Sequence, residues 1–119
     1  MITYQVLIVI LMTHFLADFA LQTHEQAMQK STDNLKLTEH ATTYSLVWLI
    51  MSYAILGVWW KCIIFALWTF LAHYYTDYYT SRWVKQLKEK KDYHNMFVMI
   101  GADQIAHYVQ LIICYKLLT

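Results

Sequence analysis

Three pairs of histidine and aspartate recur along the sequence, each with a spacing of four residues. They are His14 with Asp18, His73 with Asp77, and Asp103 with His107. Residues four apart on a helix lie on the same face, about 6 Å from each other, so each pair presents an imidazole and a carboxylate together. Imidazole nitrogen and carboxylate oxygen suit Zn²⁺, Mn²⁺ or Fe²⁺. The spacing therefore predicts metal ligands on three helices.

The composition indicates which elements hold these pairs. The chain has 119 residues, of which 59% are hydrophobic and 14% are charged, with no proline and two glycines. A water-soluble domain of this size would leave too much apolar surface uncovered. The scarcity of proline and glycine excludes a turn-rich β-sandwich and a disordered chain. We therefore expect an all-α protein embedded in the lipid bilayer.

Four windows are apolar enough, over about 20 residues, to cross a bilayer as helices. They cover residues 2–21, 41–60, 61–80 and 96–118. We expect residues 1–119 to form a single domain, a four-helix transmembrane bundle, because these spans leave no room for a separate soluble domain. The polar segments 23–39 and 81–95 are expected to be loops, and a tight turn near Gly57 to join the second and third spans. The first span lacks the basic flank and cleavage site of a signal peptide.

The distribution of Lys and Arg predicts the orientation. Seven of the nine lie in the two polar segments, which the positive-inside rule places in the cytoplasm, so both termini face the periplasm. All three aspartates then lie nearer the cytoplasmic face than their paired histidines, and His40 joins them from the second span. The predicted ligands of one or two divalent ions, with zinc favoured over manganese or iron, are His14, Asp18, His40, His73, Asp77, Asp103 and His107.

Competing interpretations account for less of the pattern. Buried polar residues often act as interhelical hydrogen-bond partners, but three pairs at matched depth favour a shared site. His24 and Glu25 begin like a zinc-protease helix, but position 28 is methionine. The basic run 85–91 suits anionic headgroups, so no nucleic-acid partner is expected. Cys62 and Cys114 lie toward the periplasmic end. The sequence leaves open whether they form a disulfide or pack as two free thiols.

The motifs resemble a known family. The segment HFLADF at positions 14–19, followed by LQT, then Lys30, His40 and the two later His/Asp pairs, is similar to the domain-of-unknown-function 3307 family of small integral membrane proteins from bacteria and their phages. The resemblance implies a four-span protein of the bacterial inner membrane, encoded by a bacterium or a phage. It also implies a looser similarity to membrane proteins classed as metal-dependent hydrolases, and it supplies no substrate.

Functions of different classes stay open. A metal-dependent hydrolase would act on an amphiphile, such as a phosphoester or another lipid, near the cytoplasmic leaflet. Its catalytic residues would be Asp18, Gln22 and Gln104, which orient water or substrate, with segment 23–39 as a lid. The alternative is a non-catalytic accessory protein with a structural metal site that binds another membrane protein. A proton or metal-ion path would need polar residues that continue to the outer end, where few exist.

Overall fold

The computed structural model describes all residues 1–119, and it is helical apart from short turns and the chain ends. The elements are α1 (Tyr4–Phe15), which continues as a π-helical turn (Leu16–Ala20), then α2 (His24–Gln29), α3 (Asn34–Met51), α4 (Tyr53–Leu56), α5 (Trp59–Glu89) and α6 (Tyr93–Leu118). There is no β-strand, so the predicted all-α class is confirmed.

The long helices pack as a bundle in which α5 contacts both α3 and α6, and α1 lies against α3 and α6. Contacts between α3 and α5 run in opposite chain order, since His40 meets His73 whereas Trp48 meets Phe65. These two helices are therefore antiparallel. A turn of three residues, 90–92, reverses the chain again between α5 and α6.

The turn before α5 depends on a glycine. Gly57 follows α4 with a φ of 68°, in the left-handed region that glycine adopts without steric cost. Val58 is extended and precedes the first residue of α5. The predicted tight turn near Gly57 is present, and it brings the start of α5 beside the end of α3.

Several predicted boundaries are wrong. Residues 41–60 are not one helix, because α3 begins at Asn34 and ends at Met51, before α4 and the Gly57 turn. Residues 81–95 are mostly not a loop. The α5 helix continues to Glu89 through lysine, glutamine, leucine and glutamate, which all favour helix and include no breaker. Segment 23–39 likewise contains α2 and the first turns of α3. Apolar windows locate the hydrophobic part of a helix rather than its ends.

The interior of the bundle differs along its length. An apolar core that includes Ile10, Trp48, Phe65 and Leu111 lies toward the chain termini, with Val6, Ile55 and Leu118 packed against it. The other half is filled by polar side chains, and 10 of the 21 buried residues are polar or charged. A polar cluster of this size inside so small a bundle needs a chemical explanation. Cys62 and Cys114 are both buried and free, so the structure contains no disulfide.

The outer surface carries many large apolar side chains. On α5, Leu67, Trp68 and Leu71 are each more than half exposed, and on α6 Ile105 is 63% exposed. By length and composition, α6 alone could cross a membrane, while Tyr4–Ala20 forms a shorter apolar helix. The four-span arrangement thus stays a prediction.

Candidate metal centre

The seven predicted ligands lie together in one cluster at the polar end of the bundle. Six of them are buried, and the Asp103 side chain is 13% exposed. The contributors are α1 and its π-helical turn (His14, Asp18), α3 (His40), α5 (His73, Asp77) and α6 (Asp103, His107). The structure places these residues side by side, and their role as metal ligands stays a prediction.

The π-helical turn positions Asp18. The amide of Leu21 donates to the carbonyl of Leu16 at 3.0 Å, a five-residue step that widens the helix after His14. Ala17 and Asp18 are the buried residues of this turn, while Phe19 points outward. Wide turns of this type occur often at functional sites. Here the turn directs the Asp18 carboxylate into the bundle.

Four atoms form a compact group that we call the His40–His73 set. It consists of Nε2 of His40, Nε2 of His73, Oδ1 of Asp18 and Oδ2 of Asp77. The two nitrogens are 3.0 Å apart, Asp18 Oδ1 is 3.0 and 3.6 Å from them, and Asp77 Oδ2 is 3.4 and 3.3 Å from them. Ligands bound tetrahedrally at 2.0–2.2 Å from zinc lie about 3.4 Å apart. The set therefore fits a tetrahedral metal site.

Hydrogen bonds within the protein leave part of this set without partners. The two Nε2 atoms are 3.0 Å apart, so a hydrogen bond between them needs one ring as donor and the other as acceptor. The Nδ1 atoms of His40 and His73 are buried and have no hydrogen-bond partner. A cation among the four atoms would use both Nε2 lone pairs and both carboxylates. The donor chemistry thus fits a divalent metal better than a hydrogen-bond network.

With the histidines neutral, as metal ligands are, protein groups alone do not balance the charges of the cluster. Three carboxylates meet one ammonium, that of Lys30, which donates to Asp77 Oδ2 at 3.0 Å. Burial lowers the pKa of Lys30, but the carboxylates of Asp77, Asp18 and Asp103 outweigh that effect and raise the pKa above its ordinary value. Two negative charges remain if the histidines are neutral. Burying such charge without compensation is costly, so one divalent cation would neutralise the cluster.

His14 is the predicted ligand whose ring is most fully engaged by neighbours. Its Nδ1 lies 2.7 Å from the Tyr44 hydroxyl, and its Nε2 lies 2.7 Å from Gln104 Oε1 and 3.5 Å from Asp18 Oδ2. Gln104 Nε2 donates to Asp18 Oδ2 and to Asp103 Oδ2, at 3.1 Å each. Gln104 therefore holds three predicted ligands in place, which is the work of an outer-shell partner.

A cavity of about 600 Å³ opens beside the cluster. Asp18, Asp77 and Asp103 line it, together with Gln22 and Gln104, whereas the histidines lie behind the carboxylates. The Oε1 atom of Gln22 is buried without a hydrogen-bond partner. The cavity therefore reaches the carboxylate layer of the cluster.

Three residues that contact the cluster were not predicted as site residues from the sequence. Tyr44 contacts His14 and stacks on the His73 ring at a centroid distance of 3.8 Å. Thr80 donates to Asp103 Oδ1, and Lys30 reaches Asp77. Tyr44 follows His40 by four residues and Thr80 follows Asp77 by three, so helical spacing could have found both. Lys30 has no such signal, because its position depends on how α2 folds over the cluster.

The fold and the cluster define an all-helical protein with a buried histidine and aspartate centre at one end of its bundle. The family profile described as "Protein of unknown function (DUF3307)" matches residues 6–119. The chain belongs to this family, and the resemblance inferred from the motifs is confirmed. No curated protein and no solved structure matches the chain.

Proposed function

We propose that this protein is a four-span membrane hydrolase that uses a divalent metal, preferably zinc, to cleave an amphiphilic substrate near the cytoplasmic leaflet. The observation that carries the proposal is the His40–His73 set: four ligand atoms spaced as around a tetrahedral ion, beside a cavity that reaches the carboxylates. Structural zinc sites are closed, whereas catalytic sites keep access for water and substrate.

The distribution of polarity supports membrane insertion. Large apolar side chains are exposed on the outside of α5 and α6, while the histidines and aspartates of the cluster face inward. The 31-residue α5 is about 46 Å long at 1.5 Å per residue, enough to cross a hydrocarbon core of about 30 Å and extend beyond it. Of the nine basic residues, Lys61 and Lys116 alone lie toward the end with the chain termini. This asymmetry favours a cytoplasmic location for the cavity.

The lining of the cavity supports an amphiphilic substrate. Phe19, Met28 and Ile100 provide apolar walls, while Lys30 and Lys85 provide positive charge. A lipid with an anionic headgroup presents both features in one molecule. The segment around α2 contributes Met28 and Lys30 to one wall, so it is suited to cover a bound headgroup.

A bound divalent metal would supply Lewis acidity and make a water molecule easier to deprotonate. In hydrolysis, the water oxygen forms a bond to phosphorus or to an acyl carbon, and the bond to the leaving oxygen breaks. A carboxylate at the cavity accepts the proton released by the water and returns it to the leaving oxygen. When one ion occupies the His40–His73 set, Asp18 Oδ2 lies outside that set and is placed for this transfer, while Gln22 Oε1 has no partner in the protein and can accept a hydrogen bond from water. Gln104 keeps Asp18 oriented.

The proposal can be tested by comparing Asp77→Asn with Asp33→Asn in protein purified into lipid nanodiscs. Asp77 belongs to the His40–His73 set, whereas Asp33 caps α3, and asparagine caps a helix equally well. Elemental analysis measures the bound zinc. We expect zinc in the wild-type and Asp33→Asn proteins and no zinc in Asp77→Asn. Release of water-soluble product from phospholipid or acyl-lipid vesicles should fall at least 100-fold in Asp77→Asn. Wild type that holds no transition metal would refute the proposal.

A structural metal site in an accessory membrane protein is the second candidate. One observation favours it: the ligand atoms of the His40–His73 set come from three separate helices, α1 with its π-helical turn, α3 and α5, so an ion would cross-link them. In that case removing zinc with a chelator would unfold the bundle, and zinc-loaded protein would release no product. A zinc-dependent hydrolysis that disappears in a folded Asp77→Asn protein would exclude this second candidate.

A further inference from the structure

We propose that the centre holds two divalent cations, bridged by the carboxylates of Asp18 and Asp77. This inference rests on the metal centre of the proposed function and adds a second ion to it. The observation behind it is that each of these two buried carboxylates directs its two oxygens to two different groups of ligand atoms.

Asp18 divides its oxygens between the two sides of the cluster. Its Oδ1 lies 3.0 Å from His40 Nε2, within the His40–His73 set. Its Oδ2 faces away from that set and accepts from Gln104 Nε2 at 3.1 Å, with His14 Nε2 3.5 Å away. A carboxylate that binds two ions has this arrangement, with one oxygen for each.

Asp77 does the same from α5. Its Oδ2 lies 3.3 Å from His73 Nε2, within the His40–His73 set. Its Oδ1 lies 3.0 Å from His107 Nε2, on the opposite side. Two carboxylates from different helices therefore each direct one oxygen to the His40–His73 set and the other oxygen away from it.

The second position has its own terminal ligands, which we call the His107–Asp103 set. His107 Nε2 is 3.2 Å from Asp103 Oδ2, and these two residues and Asp18 offer ligand atoms that all lie within 4.8 Å of one another. Thr80 donates to Asp103 Oδ1, which leaves Oδ2 directed at the set. Asp103 is also the most exposed of the seven, at 13%, so an ion there is accessible from the cavity.

Charge gives the second ion a chemical consequence. One divalent ion neutralises the two uncompensated negative charges of the cluster, and a second makes the centre positive. Paired metals about 3.5–4 Å apart clamp the oxygens of a phosphoryl group during displacement. Three lysines, Lys30, Lys85 and Lys88, line the same cavity. A two-metal centre of this charge selects a phosphoester over a neutral acyl ester.

Manganese provides the decisive probe, because its electron paramagnetic resonance distinguishes one ion from a coupled pair. We expect wild-type protein in nanodiscs to bind two Mn²⁺ per chain and to show a spin-coupled signal. Asp103→Asn should retain about one Mn²⁺ and show the signal of an isolated ion, while Asp33→Asn should match wild type. One isolated Mn²⁺ in saturated wild type would refute the pair, whereas two coupled ions in Asp103→Asn would refute the assignment of Asp103 as a ligand of the second ion.

A second variant covers the case in which Asp103→Asn fails to fold. Thr80→Val retains the shape of the side chain but removes the hydroxyl that orients Asp103, so the second Mn²⁺ should bind 10–100-fold more weakly while the first is unchanged. Equal loss of both ions, or of neither, would count against the pair.

Activity separates this inference from the proposed function. If the protein binds two coupled ions but cleaves no lipid, the two-metal inference holds and the proposal of a hydrolase is refuted. If an active protein binds one ion, the two-metal inference is refuted and the proposal of a hydrolase holds. Faster cleavage of an acyl ester than of a phosphoester with the same alkyl chain would refute the substrate class inferred from the paired charge.

Discussion

Tyr44 shows how a single side chain supports the centre without being one of its predicted ligands. Its hydroxyl lies 2.7 Å from His14 Nδ1, and its ring stacks on His73 with an interplanar angle of 15°. It is fully buried between α1 and α5. One residue thus sets the orientation of two imidazoles, one on each side of the cluster.

Tyr44→Phe should separate these two roles. Phenylalanine retains the stacking but leaves His14 Nδ1 without its partner, so we expect a loss of about 1–3 kcal/mol in the free energy of unfolding. Unfolding in a denaturing detergent series would measure the loss. Tyr53→Phe is the control, because Tyr53 is 43% exposed and outside the cluster, and it should be within about 0.5 kcal/mol of wild type. A Tyr44→Phe protein as stable as wild type would show that the contact with His14 contributes nothing.

Among the secondary-structure elements, the turn before α5 needs a left-handed backbone conformation, whereas the interior of a helix needs a right-handed one. The two glycines illustrate this, since Gly57 lies in a left-handed turn and Gly101 lies inside α6. A Cβ atom added at either position would meet no other atom within 4 Å. Differences between the two sites therefore arise from backbone conformation alone.

Gly57→Ala and Gly101→Ala should consequently change stability in opposite directions. Alanine at position 57 must adopt a φ of 68°, which costs about 1–2 kcal/mol. Alanine at position 101 gains helix propensity of about 0.8–1.0 kcal/mol over glycine. The same detergent unfolding series should show a lower transition for Gly57→Ala and a higher one for Gly101→Ala. A shift of the same sign in both variants would contradict this interpretation of the turn.

The whole molecule has a polar end and an apolar end. The centre, the cavity and the turn at 90–92 lie toward the polar end, whereas the apolar core near Val6, Ile55 and Leu118 lies toward the chain termini. The long dimension of the molecule is 46 Å, greater than a hydrocarbon core of about 30 Å. In the proposed membrane arrangement, the basic end faces the cytoplasm and the termini face the periplasm.

Reporter fusions test that orientation directly. A reporter active only in the periplasm should be active when fused after Thr119 and inactive when inserted beside Lys91, in the turn between α5 and α6. The reverse pattern would place the cavity at the outer leaflet. Activity at neither position, together with recovery of the protein in the soluble fraction, would contradict membrane insertion itself.

Much of the fold and of the site follows from local sequence. The absence of proline and the long apolar segments predict helices, because a helix satisfies all of its backbone hydrogen bonds within one segment. The spacing of four residues in the three pairs predicts shared helix faces, because that relation depends only on helix geometry. Six of the seven residues of the cluster could therefore be selected from spacing before any tertiary contact was known, and His40 was added from its position in the second span. The ends of α3 and α5 could not be predicted, because hydropathy changes at the edge of an apolar segment, whereas a helix ends at its capping residues and turns.

The tertiary structure decided what the individual atoms of those residues face. Lys30 reaches Asp77 across 47 positions of sequence, and Gln104 reaches Asp18 across 86. No local pattern encodes such distances, since they depend on how α2 and α6 pack around the π-helical turn. The division of oxygens at Asp18 and Asp77 likewise depends on side-chain rotamers that only packing fixes. The sequence by itself determined which residues share a helix face, because helix geometry is local; packing decided which of those faces meet and which atoms could share an ion.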